Sequence, residues 1–275
     1  MRNIPHVAYF FWNRLPMSLM QTFGIRTFHR HNPDWKIVIG LVKQLPQEMG
    51  ENRYVREYRG KDYFNEIASL DYVTVEDVDI MAYGLPRDAP SIIGTDIYRT
   101  NVLYDRGGVY SDHDVVWLKP MSEIVNVDHI GNINDFEATV CYYKYTHAHN
   151  NLSIMISEKG SPYMKSLIDH QIRVRPPYSD QCYSAELLNR VYPTWEAVVS
   201  KYPRMAALKY ETFYPYDTYD LSPLFIGKDL TAIDNKNVMC VHWFAGNPLS
   251  QAYSTTEDFN RDCAMTELLK REQLI

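Results

Sequence analysis

The feature that most constrains the fold lies in the first 42 residues, where two apolar blocks flank one helical stretch. After Pro5, the run HVAYFFW (His6–Trp12) is short, apolar and aromatic, and KIVIGLV (Lys36–Val42) is apolar and rich in β-branched residues. Both read as buried strands, and the segment from Pro16 to about His31, closed by Asn32-Pro33, reads as a helix. Strand, helix, strand within this length predicts a parallel βαβ unit. Ligands of open parallel sheets bind beyond the carboxyl ends of the strands. Phe11, Trp12 and Asn13 are thereby expected beside a site.

Further along, a short strand is expected at Tyr72–Val75 and a helix at Ala89–Arg106, ended by Gly107-Gly108. Val109–Ser111 and Val115–Leu118 then flank Asp112-His113-Asp114 in extended surroundings. Strands are expected at Thr139–Tyr145, Leu152–Ile156 and Asn237–Trp243, with helices at Tyr163–Ile172, Ser179–Tyr192 and Glu257–Lys270. No repeat, low-complexity tract or Gly/Ser linker forces a domain boundary. The fold class is α/β, with a mixed central sheet flanked by helices.

Composition narrows the partners. With 28 basic against 34 acidic side chains the net charge is −6, so a nucleic-acid partner is disfavoured. The longest apolar stretch near the start, Val7–Trp12, is far too short to span a bilayer. Four scattered cysteines (Cys141, Cys182, Cys240 and Cys263) lack zinc-like spacing and read as buried thiols of a reducing, cytoplasmic setting. Tyrosine is abundant, 22 in 275 residues; the ring suits stacking on sugars or bases, yet most such residues serve cores and rims.

The chemistry concentrates in Thr95–Pro120. Asp96 and Arg99, three apart on the expected helix, share a face, and Leu103 continues that stripe. On extended backbone Asp112 and Asp114 project to one side while His113 points away. Two carboxylates held together call for a cation or a proton, and a hard divalent ion such as Mn²⁺ or Mg²⁺, shared with substrate phosphates, supplies the charge.

The compound pattern TDIYRTNVLYDRGGVYSDHD resembles the DXD sugar-binding region of family 32 glycosyltransferases, A-D-x-x-R-x-x-x-L-x-x-x-G-G-x-Y-x-D-x-D, with Thr95 in place of the first residue. That group includes capsule and yeast mannan-initiating transferases and is similar to the glucosylating clostridial toxins. The resemblance implies a GT-A type nucleotide-sugar-binding fold in one domain over residues 1–275. Residues 1–120 would form the nucleotide-sugar and metal half, and residues 121–275 the acceptor half with a closing C-terminal segment.

It also implies roles residue by residue. Asp96 and Arg99 would contact the donor sugar; Asp112 would lie near ribose and sugar, with Tyr110 and His113 beside it; Asp114 would bind the metal directly. The opening Ile4-Pro5-His6 with its aromatic strand end is similar to the family's I-P-K…I-H-Q-x-W, which makes Trp12, with Phe11, the aromatic that stacks on the base. NLSIMISEKGSPYMK is similar to the family's N-x-x-I-x-A-x-x-G-H-P-F block, which makes Asn150 or Asn151 a donor-sugar contact. VHWFAGNPLS is similar to the H-H-x-x-G-S-W ending that closes over the diphosphate. His242 or Asn247 would then complete the metal or phosphate shell, and Ser250 would lie near the donor. Asn247 and Pro248 stand where Ser and Trp are usual. Asp180 and Glu186 are rim residues with no assigned role.

The implied reaction is metal-dependent, retaining transfer of a hexose or N-acetylhexosamine from a nucleotide sugar, UDP-linked in preference to GDP-mannose. The acceptor would be a hydroxyl of a glycan, glycolipid or protein, with a bacterial- or phage-type surface glycan favoured. A peripheral contact with a membrane is compatible with the chain. A nucleotide-sugar hydrolase and a catalytically silent glycan-binding module are the competing readings.

Overall fold

The computed structural model describes residues 3–43, 58–84, 91–142, 152–174, 176, 183–192, 194–257 and 259–275. The expected opening unit is present: strand β1 (Val7–Trp12), helix α1 (Leu19–His31) and strand β2 (Lys36–Val42), with the two strands parallel. The helix begins at Leu19 and not at Pro16 because Ser18 caps it: its side chain accepts from the Gln21 amide, and Gln21 reaches back to the Ser18 amide.

Helix α2 (Phe64–Ala68) leads to strand β3 (Val73–Val78), parallel to β2. Helix α3 (Ser91–Arg106) then returns the chain to strand β4 (Gly108–Ser111), which pairs parallel with β1 on its other edge. Strand order therefore reverses between β1 and β4, and their carboxyl ends frame the crevice where parallel sheets take ligands. Gly107 and Gly108 make this return feasible. Both have positive φ, 71° and 114°, and a β-carbon on Gly108 would lie 2.4 Å from the Val7 carbonyl oxygen.

The later strands are β5 (Val115–Trp117), β6 (His129–Gly131), β7 (Ala138–Tyr142), β8 (Ile154–Ser157), β9 (Met205–Lys209) and β10 (Cys240–His242). Among the described residues, eight strands form one mixed sheet in the order β3-β2-β1-β4-β8-β7-β9-β6, and β5 pairs antiparallel with β10 apart from it. Helices α4 (Pro162–Gln171), α5 (Ala185–Val191), α6 (Trp195–Lys201) and α7 (Ser222–Phe225) precede the closing pair α8 (Pro248–Thr256) and α9 (Ala264–Arg271). Of the helix expected over Glu257–Lys270 only the part from Ala264 forms; Glu257, with φ of 50°, instead ends α8. Strands β6 and β9 have no sequence expectation behind them. Parts of the strand expected at Thr139–Tyr145 and the helix expected at Ser179–Tyr192 lie outside the described residues.

Alternation along β1 builds the core on both faces. Tyr9 and Phe11 face the cluster under α3 and α4, whereas Ala8, Phe10 and Trp12 face the cluster under α1. On that second face Phe28 packs edge-on against Phe10, Trp35 and Trp117. Such rings contribute about 1.5–3 kcal/mol each by burial, with a further increment from edge-to-face geometry. A third cluster joins Trp243 and Tyr253 to Leu268 and Leu269 and seats the C-terminal helices beside β5 and β10. No helix among the described residues is long and apolar enough to cross a membrane.

Candidate active site

The strand end of β4 carries the acidic turn. The Asp112 amide donates to the Ser153 carbonyl at 2.8 Å, and its Oδ1 accepts from the Tyr110 hydroxyl at 2.7 Å. Asp114 is fixed by the C-terminal segment: its Oδ2 accepts from the Ala245 amide at 2.8 Å, and its carbonyl accepts from the Trp243 amide at 2.9 Å. Antiparallel pairing of β5 with β10 sets His242 opposite Val115 and its Nε2 at 3.2 Å from Asp114 Oδ1. One ligand atom from each of Asp112, Asp114 and His242 lies within 4.8 Å of the others.

The surroundings set the charge of each group. Burial pushes the Asp112 carboxyl up despite Arg99, with the neighbouring Asp114 adding to the rise. Burial also works to raise Asp114, but His242 and the Ala245 amide outweigh it and hold that carboxyl below its usual range. The pair therefore splits, Asp114 being the more firmly ionised member. Tyr214 and Phe244 enclose the His242 ring, with centroids at 5.4 and 4.2 Å.

Asp96 and Arg99 form a second, deeper pair. On α3 they are three residues apart and joined by an ion pair, and both are buried. Arg99 also lies 3.9 Å from Asp112 Oδ2, and its guanidinium sits over the Tyr110 ring at 5.3 Å. Burial pushes Asp96 up to about 6, opposed by Arg99, and Ser184 also hydrogen-bonds its carboxylate. Burial works to lower Arg99, but Asp96 and Asp112 overcome it and hold the guanidinium charged. Gln171 locks the helix here: its Nε2 donates to the Asp96 and Tyr183 carbonyls at 3.3 and 3.0 Å, and its Oε1 accepts from the Thr100 hydroxyl at 2.7 Å. Ser184 and Gln171 escaped sequence reading because only the return of α4 and α5 over α3 brings them to Asp96.

The structure thus gathers Asp96, Arg99, Tyr110, Asp112, Asp114 and His242 in one place. His113 turns to the other side, between the rings of Phe10 at 5.3 Å and Trp12 at 4.9 Å, where burial lowers its pKa to about 4. Trp12 is 5% exposed with its indole N–H on the Leu15 carbonyl at 2.7 Å, so the face expected to stack on a base is covered. Phe11 is likewise buried, against Tyr98. Asn247 caps α8: its Oδ1 accepts from the Leu249 amide at 2.9 Å and its Nδ2 donates to the Thr218 carbonyl at 3.0 Å. The Asn-Pro pair at 247–248 is itself a helix-start signal. Ser250 is buried and donates to the Trp243 carbonyl at 2.6 Å. Glu186 lies in the first turn of α5. Asn150, Asn151 and Asp180 lie outside the described residues, as does Cys182. The other three cysteines are buried and free.

Compared by sequence, the chain matches no curated protein. Among solved structures it is similar to the PaToxG glycosyltransferase, at 13% identity and a TM-score of 0.48 over 72% of this chain and 74% of that one. It is similar to the galactosyltransferase LgtC, solved with donor and acceptor sugar analogues, at 12% identity and 0.47 over 86% of each chain. It is also similar to the glycosyltransferase GlyE of Streptococcus pneumoniae TIGR4, at 11% identity and 0.49 over 98% of this chain and 64% of that one. Residues 20–137, from α1 to the edge of β7, match the model of the glycosyltransferase sugar-binding region containing a DXD motif. The matched stretch, residues 20–137, is thus similar to a glycosyltransferase sugar-binding region with a DXD motif, and it includes β4 and the acidic turn that follows it.

Proposed function

We propose that this protein is a metal-dependent, retaining glycosyltransferase of GT-A type and family 32 character. It would move a hexose or N-acetylhexosamine from a nucleotide sugar, UDP-linked in preference to GDP-linked, to a glycan hydroxyl. One observation carries the reading: Asp112, Asp114 and His242 converge within 4.8 Å at the carboxyl end of a parallel strand, beside a buried arginine.

The donor set suits Mn²⁺ or Mg²⁺. Two carboxylates and one imidazole offer hard oxygen ligands and one nitrogen. His242 Nε2 is buried and lacks a well-formed hydrogen bond despite its closeness to Asp114, as a ligand atom awaiting a cation would. A bound divalent ion would supply positive charge against the diphosphate as it departs.

This chain's own residues do the rest. Tyr110 holds one oxygen of Asp112 and the Ala245 amide holds one oxygen of Asp114, so each carboxylate keeps its second oxygen for the site. Arg99, locked by Asp96, fixes the sugar-side charge and orientation. In front-face retention the bond from the anomeric carbon to the diphosphate oxygen breaks as the bond to the acceptor oxygen forms on the same face. The acceptor proton passes to the departing phosphate. The transition state has oxocarbenium character, so the surrounding carboxylates stabilise it as well. In this reading one domain spans residues 1–275, residues 1–120 give the acidic turn and residues 121–275 give His242 and the closing segment.

The test is thermal unfolding of the pure protein with UDP or GDP, each with Mn²⁺ or with EDTA. A ligand at a hundred times its dissociation constant adds about 2.7 kcal/mol. Stabilisation by one nucleotide only with Mn²⁺ supports the donor site, and its absence with either nucleotide overturns it. Equal consumption of UDP-hexose with and without an acceptor glycan would replace transfer by hydrolysis.

A further inference from the structure

Helix α8 stops at Glu257, which adopts a left-handed conformation of φ 50° and ψ 26°. A β-carbon makes that region costly, and non-glycine residues stay there only where their surroundings hold them. Here three donors from other segments converge on the carboxylate. The Tyr58 hydroxyl lies 2.6 Å from Oε1, the Leu19 amide 3.3 Å from Oε1, and the Tyr63 hydroxyl 3.5 Å from Oε2. Leu19 is the first residue of α1, where amides lack intrahelical acceptors and negative charge is favoured.

The same helix backs the acidic turn. Gly24 of α1 lies so close to it that a β-carbon would stand 3.0 Å from the His113 carbonyl oxygen and 3.1 Å from that of Val115. The Gln21 carbonyl faces His113 Nδ1 at 3.4 Å, and the Thr27 hydroxyl accepts from the Trp117 amide at 2.9 Å. At its other end α8 is capped by Asn247, two residues after the Ala245 amide that holds Asp114. A closed frame results: from Asp114 through Ala245 and α8 to Glu257, across to α1, and back through Gly24 to the turn.

We propose that Glu257 is a positioning residue for the metal site. By fastening the far end of α8 to the helix that backs Asp112-His113-Asp114, it holds Ala245 and His242 against Asp114 in one geometry. Outer partners of this kind govern metal affinity without touching the ion. The inference rests on the metal-site reading above.

The experiment measures Mn²⁺ dissociation constants by electron paramagnetic resonance, without nucleotide, alongside melting temperatures. Glu257→Gly keeps the left-handed backbone at no steric cost and removes the carboxylate. Its Mn²⁺ dissociation constant is expected to rise about tenfold, and Glu257→Gln, which keeps an acceptor oxygen, to stay near the wild-type value. Val198→Ala, at a buried position of α6 away from the frame, is expected to lower the melting temperature with unchanged Mn²⁺ affinity. Wild-type affinity in Glu257→Gly overturns this inference alone. Failure of the wild-type protein to take Mn²⁺ overturns the metal-site reading and this inference with it.

Discussion

The protein handles two sets of acidic side chains, about one helix apart, in opposite ways. Asp96 is buried on α3 against Arg99, with Ser184 and Gln171 closing around it, so its charge is answered from within the chain. Asp112 and Asp114 face each other and an imidazole, and Arg99 approaches only one of them, at 3.9 Å. The first set is complete as folded and acts as a fixed electrostatic wall. The second keeps unanswered negative charge and is the one that, in the proposed chemistry, would recruit a cation from outside. Burial alone does not mark the reactive group; the sum of fixed charges around it does.

The sharpest way to break this contrast is to remove a ligand from the open set. Asp114→Ala should abolish Mn²⁺-dependent stabilisation by nucleotide and lower transfer about a thousandfold, since ion-mediated charge stabilisation is worth several kcal/mol. Full transfer by that variant with Mn²⁺ present would sink the proposed chemistry. In the closed set the same kind of change should strike the fold first. Arg99→Met leaves Asp96 without its buried counter-charge and should cost about 3–5 kcal/mol of unfolding free energy in urea titrations.

The pH dependence separates the two sets further. Asp96 sits at about 6 against an ordinary value of 3.8, so the fold favours its protonated form. That contribution is complete below the ordinary value and is lost as pH rises through the folded one. The wild type should therefore lose roughly 3 kcal/mol relative to Asp96→Asn across this interval and stay level above about pH 7. A pH-independent gap would mean that Asp96 is ionised throughout.

A smaller effect tests the backing of the turn. Gly24→Ala must push against the His113 and Val115 carbonyls, and should weaken Mn²⁺ binding by several-fold, roughly 1 kcal/mol, while gaining helix propensity. The smallest concerns Trp12. With its ring in the core and its N–H on Leu15, Trp12→Phe should lower stability by about 1–2 kcal/mol and leave nucleotide affinity nearly unchanged, as calorimetry would report. A tenfold loss of nucleotide affinity would instead support the base-stacking role.

Much of this molecule was legible before folding because its signals are local. β-Branched and aromatic blocks specify β1 and β2, Asn32-Pro33 closes α1, and the diglycine turns α3 into β4. The acidic turn and its Asp96–Arg99 partner sit within one stretch of chain, so spacing alone suggests their chemistry. What spacing could not supply was anything joined by distant contacts. Strands β6 and β9 are three and five residues long and exist through pairing with each other and with β7. That Glu257 ends one helix instead of starting another is also invisible in the sequence, because its left-handed turn is held by Tyr58, Tyr63 and Leu19 from elsewhere in the chain.

By itself, then, the sequence determined a parallel βαβ opening, an acidic turn at a strand end and a basic partner on the helix before it. The tertiary structure decided that β10 returns beside β5 and delivers His242 to Asp114, and that Asp96 is sealed. The physical reason is one of range. Periodicity, capping and turn residues act over a few neighbours, whereas the charge left over at a site depends on which distant side chains the packed sheet brings beside it.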